Sequence, residues 1–91
     1  MKQIIWTDYF QYRPKLRGFN LANVEEILRH STERYYDTAT DRFVGVGKYA
    51  SVIVMIPYEI DDESTITPIT IHATSRQQIN YRIKSGRFKN E

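Results

Sequence analysis

The feature that most constrains this chain is a change of hydrophobic period at residue 30. Upstream, in NLANVEEILRH, Leu21, Val24, Ile27 and Leu28 recur at i, i+3, i+6 and i+7 and draw one apolar stripe along a helix. Asn20 is a good N-cap for that helix, and Glu25 and Glu26 in its first half with Arg29 and His30 in its last turn suit the helix dipole. Downstream the helical spacing stops and strand-like runs take over. ERYYD (33–37) and RFVGVG (42–47) flank the turn-like TATD, which predicts a hairpin. SVIVMI, within residues 49–56, is apolar on both faces and predicts a central strand covered from two sides.

The rest of the chain fits around this core. QIIW (3–6) reads as a short strand, followed by an aromatic helix from about Tyr9 to Arg17 that Thr7 or Asp8 caps, Pro14 interrupts and Gly18 ends. An acidic run of Glu59, Asp61, Asp62 and Glu63 closes a hairpin loop at Ser64. The returning strand is expected over Thr65 to His72, and Pro68 within it requires an edge position or a bulge. Ser75-Arg76-Gln77-Gln78 then fits a capping box and opens a last helix running to about Ser85, docked by Ile79 and Ile83. The expected fold is α+β: a four-stranded, mainly antiparallel sheet with SVIVMI central, two N-terminal helices and one C-terminal helix, the helices on one face.

Ninety-one residues, 41 % of them hydrophobic and 26 % charged, make one ordinary globular domain over residues 1–91 with a modest core. No cysteine is present, which excludes disulfides and thiolate chemistry and fits a cytoplasmic protein. The first twenty residues read neither as a signal peptide nor as a membrane span. Net charge is only +2, but Arg76, Arg82, Lys84, Arg87 and Lys89 crowd the C-terminal end. Such a basic end can meet phosphates, or can be no more than a solvated helix face.

Other site chemistries find little support. His30 and His72, the two histidines, are far apart in sequence and no carboxylate cluster flanks either at ligand spacing, so no metal or other cofactor is expected. There is no nucleophile elbow, and Gly45-Val46-Gly47 is not followed by a helix as a dinucleotide fingerprint requires. Those glycines are better read as letting a neighbouring side chain approach the backbone.

The stretch ITIHATSRQQ (69–78) carries more. With Ile69 and Ile71 facing the core, His72 falls on the solvent side at a strand end, where imidazole can act as a general acid or base. Arg76 sits at a helix start whose amides favour anions, and Arg82 or Lys84 can stabilise developing negative charge. RNA cleavage by 2′-hydroxyl attack needs this kind of set and needs no metal.

Several of these residues together resemble the BrnT family of toxins from bacterial type II toxin–antitoxin pairs, small ribonucleases with a RelE-like fold. The likeness runs through Trp6 and Asp8, Arg17-Gly18, Glu25-Glu26, and Arg42 opening a strand that ends Gly45-Val46-Gly47-Lys48. It is closest over ITIHATSRQQ. His72 stands where that family's strand ends in arginine, Gln78 replaces a helix-opening glutamate, and the early lysine falls among Tyr9, Phe10 and Gln11. The resemblance implies a metal-independent endoribonuclease with a cognate antitoxin protein as partner and RNA as substrate. His72, Arg76 and Arg82 would then be catalytic, and Lys15, Arg17 and Lys84 would bind substrate. The alternative is an inactive member of the same fold that binds a protein or nucleic acid.

Overall fold

The computed structural model describes residues 3–11 and 18–90 in full and the backbone of Tyr12. The described elements are α1 (Asp8–Tyr12), α2 (Leu21–His30), β1 (Glu33–Asp37), β2 (Arg42–Tyr49), β3 (Val52–Ile60), β4 (Ile66–Pro68), β5 (His72–Thr74), α3 (Arg76–Lys84) and β6 (Phe88–Asn90). All strand pairings between them are antiparallel, in the order β4-β3-β2-β1-β6, with β5 also pairing β3. The α+β class and the antiparallel sheet follow the sequence reading; the strand count does not. One added strand is β6, three residues long, which pairs β1 across a wide gap in sequence. The other arises because the returning strand is divided into β4 and β5.

That division is a β-bulge. β4 holds Pro68 opposite Tyr58, and β5 holds His72 opposite Met55. Between these pairs β3 has two residues, 56 and 57, and the returning chain has three, 69 to 71. One extra residue is accommodated there, and the Ile69 amide donates to the Pro57 carbonyl at 2.9 Å. Pro68 therefore lies both on an outer strand and at a bulge. The extra residue inverts facing: Ile66 and Pro68 share a face, but it is Ile71, an odd number of positions on, that joins Ile66 in the same apolar cluster. His72, opposite Met55, is turned to the other face.

The helices are split between the two faces, a correction to the one-sided packing expected. Val24, Ile27 and Leu28 of α2, with Phe10 of α1, pack on Val54, Ile56, Tyr58, Ile66 and Ile71. Ile79 of α3 packs on the opposite face with Tyr35, Val44, Val46 and Phe88, flanked by Ile53 and Met55. The physical reason lies in β2 and β3, where both parities are apolar. A sheet with two greasy faces requires a cover on each.

Local chemistry fixes the elements where expected. The Thr7 hydroxyl accepts from the Phe10 amide and starts α1, and Asn20 accepts from the Asn23 amide at the start of α2. At the far end of α2, Arg34 donates to the carbonyls of Leu28 and Ser31 and to the Tyr58 hydroxyl, so a strand cation satisfies helix-end acceptors. QIIW is not a full strand: Ile4 makes a single parallel bridge beside Ile66, which covers the outer edge of β4. The helix expected as far as Arg17 is described only to Tyr12, and the break expected at Pro14 lies outside the described residues.

Candidate functional site

The face covered by α3 carries most of the polar chemistry. Ser75 opens α3 as its N-cap, accepting from the Gln78 amide at 3.2 Å. The reciprocal arm of the expected capping box is different. The Gln78 carboxamide oxygen accepts from the Thr74 hydroxyl at 2.9 Å, so it anchors β5 to the helix.

Arg76, one residue into α3, reaches across to β1. Its two terminal nitrogens donate to the two Glu33 oxygens at 2.5 and 2.9 Å, and Glu33 also accepts from the Tyr35 hydroxyl at 2.7 Å. The Arg76 hydrogen bonds hold the Glu33 carboxyl below the ordinary value, against a smaller opposing effect of burial. Burial first, then the neighbouring Glu33, pushes the Tyr35 phenol up to about 12. Arg76 is thus raised and charged, but its fork is already filled by a carboxylate.

A second pair sits farther along the same face. Asp37, 4 % exposed, accepts from Arg87 at 2.9 and 3.0 Å and from the Ala39 amide at 2.9 Å. Burial alone would raise the Asp37 carboxyl; the Arg87 guanidinium and the Ala39 amide outweigh it and leave it lowered. The Arg87 side chain also stands over the Phe88 ring, 6.0 Å from its centre. Arg82, from the last turn of α3, stands over the same ring at 5.7 Å.

Two open grooves run along α3. One, of about 580 Å³, is lined by Ser75, Gln77, Gln78, Tyr81, Arg82, Ser85 and Arg87. The other, of about 720 Å³, is lined by Gln77, Asn80, Tyr81, Ile83 and Lys84. Residues two apart on a helix point roughly 200° apart, which puts Arg82 and Lys84 on opposite flanks.

The residues singled out from the sequence are therefore placed as follows. His72 is half-buried on the α3 face of the sheet, not on an open solvent side, because α3 covers that face. Arg76 and Arg82 share this face, Arg76 bound to Glu33 and Arg82 in the first groove. Lys84 is exposed in the second groove. Lys15 and Arg17 lie outside the described residues. Glu33 and Asp37 were not singled out in the sequence, and Arg87 only as one of the basic C-terminal residues, because Glu33 and Arg76 are 43 positions apart and Asp37 and Arg87 are 50 apart. Ile83, expected to dock α3 beside Ile79, is instead partly exposed at 40 %. Among the described residues no three or more histidines, cysteines or carboxylates gather as a metal would require. No described helix is long and apolar enough to cross a membrane. No protein-family model matches the chain, and neither a curated protein nor a solved structure shows significant similarity to it.

Proposed function

We propose that the chain acts on RNA as the toxin-like half of a toxin–antitoxin pair, with the α3-covered face as its working surface. One observation carries the reading: His72, Arg76, Arg82 and Arg87 all belong to the same face of the sheet. In this reading His72 is the acid or base, handling a proton as the 2′-oxygen bonds to phosphorus and the 5′-oxygen leaves. Arg82 supports the charge that builds on the phosphate, and Lys84 meets the backbone from the other flank. Basic side chains together with the exposed Tyr81 suit single-stranded RNA, whose bases stack on aromatic rings.

A second reading, binding without cleavage, is favoured by the Glu33–Arg76 and Asp37–Arg87 pairs. Two of the three arginines named on this face, Arg76 and Arg87, already have carboxylate partners, which weakens the field a phosphate transition state needs.

Incubation of the purified chain with RNA in excess chelator tests the first reading. Cleavage is expected to persist without metal and to fall about 100-fold or more in His72→Ala, the usual scale for a positioned acid or base. His30→Ala is the control, since His30 lies on α2, on the opposite face, 3.9 Å from Glu26. Equal cleavage by the parent and the His72 variant removes the mechanism. RNA bound but not cut moves the conclusion to the binding reading.

A further inference from the structure

Within the 580 Å³ groove, the chemistry is more specific than a basic patch. Small-ligand sites commonly occupy roughly 300–1,000 Å³, so the space suits a group the size of one nucleotide. Two guanidiniums share the Phe88 ring at its margin, yet among the described residues only Arg87 has a carboxylate, Asp37, to balance it. The Arg82 Nε is buried with no hydrogen-bond acceptor among the described residues. Among the described residues Arg87 has a carboxylate partner and Arg82 has none, so the Arg82 guanidinium is the cation in this groove left to meet an anionic group. Tyr81 lines the same groove and is 71 % exposed, so its ring is open to a stacking partner. Gln77 and Gln78 bring carboxamides, and Ser75 and Ser85 hydroxyls, to the same walls.

We propose that this groove is a subsite for one unstacked nucleotide of a single-stranded RNA, a proposal that rests on the reading of the chain as an RNA-acting protein. The phosphodiester is held by Arg82, with Arg87 alongside and kept in place by Asp37. The base lies against the Tyr81 ring, and the Gln77 carboxamide meets its edge. Gln78 is less available for this, because its oxygen is engaged by Thr74. His72 does not line the groove, so the nucleotide held there lies next to the one that reacts, and the phosphodiester at Arg82 is the one that joins the two.

The test uses the full chain labelled with 15N and titrated in turn with adenosine 5′-monophosphate, adenosine and inorganic phosphate, with the Arg side-chain Nε–H and backbone amide signals followed. Adenosine monophosphate is expected to shift Arg82 Nε and the amides of Gln77 and Tyr81, adenosine chiefly the latter two, and phosphate chiefly the former. Shifts confined to other surfaces overturn the proposal. Binding of a short unstructured RNA is then measured for the parent, Tyr81→Ala and Arg82→Gln. Each variant is expected to lose about tenfold in affinity, the scale of one lost stacking or charged contact. Tyr81 is exposed, so its variant keeps the fold even if loss of Arg82 from the Phe88 ring disturbs packing. RNA binding unchanged in Tyr81→Ala refutes the subsite and leaves the RNA reading standing. Nucleotide shifts at Arg82 and Tyr81 with no RNA binding do the reverse: the groove stands as a nucleotide site and the RNA reading falls.

Discussion

Arg76 and Glu33 are joined by two hydrogen bonds, of 2.5 and 2.9 Å, that tie the first turn of α3 to the first residue of β1. The pair closes the second face of the sheet, since Ile79 follows one turn later and enters the apolar cluster there. It also fills the guanidinium that stands at the start of α3, where an anion would otherwise be favoured.

The pair sets up opposite effects on stability and binding. Arg76 is half-exposed, so solvent screening limits its contribution, and a double-mutant cycle with Glu33→Gln and Arg76→Ala in urea should give a coupling of about 1 kcal/mol or less. Glu33→Gln should nevertheless tighten binding of single-stranded RNA several-fold, because it returns a cation to the surface. Weaker binding in that variant would mean Arg76 matters only as a brace.

Stability should fall at both ends of the pH scale, for different groups. Glu33 and Asp37 have folded pKa values below their ordinary 4.5 and 3.8, so each stabilises the fold above that value. That contribution is lost as pH drops through the folded pKa. Tyr35 is raised from 10.0 to about 12, so its contribution is present below pH 10 and is lost between 10 and 12, where only the unfolded phenol ionises. Thermal midpoints measured across pH should decline at both ends. Tyr35→Phe should remove the alkaline decline that arises from this phenol and leave the acid one governed by Asp37 unaltered.

The two glycines of β2 should respond differently to alanine. A Cβ on Gly47 would stand 2.8 Å from Ile27 Cγ2, and that β-branched side chain in a helix has little rotamer freedom to retreat. Gly47→Ala should cost about 1–3 kcal/mol, as overpacking does. At Gly45 the nearest atoms, on Leu28 and Tyr58, are 3.9 Å away, an ordinary contact, and alanine should be tolerated. Urea midpoints for the two variants check the contrast.

The cap at Ser75 gives a local prediction. Ser75→Ala leaves the Gln78 amide without its acceptor and should cost about 1 kcal/mol. Thr74→Val should cost less, because it removes only an exposed hydroxyl contact with Gln78. An equal loss in both would mean the Thr74–Gln78 contact, not the cap, holds the start of α3.

What the sequence determined by itself is what depends on near neighbours. The α2 stripe, the Asn20 and Ser75 caps, the four-residue turn between β1 and β2 and the buried β3 strand all follow from spacing and side-chain chemistry within a turn or a hairpin. Pro68 likewise announced an edge position or a bulge, since it has no amide to give a neighbour, and the structure has both. Tertiary structure decided the rest. The bulge at 69–71 sets which face His72 joins, and no local pattern reveals whether an added residue is absorbed before or after Ile71. Double-sided apolar strands require two covers, but only packing assigns α2 to one and α3 to the other. β6 is three residues long, too short to show a period, and exists because β1 offers it an edge. The carboxylates that engage Arg76 and Arg87 lie 43 and 50 positions away, and electrostatic pairing over such separations is fixed only when the sheet brings β1 beside the C-terminal segment.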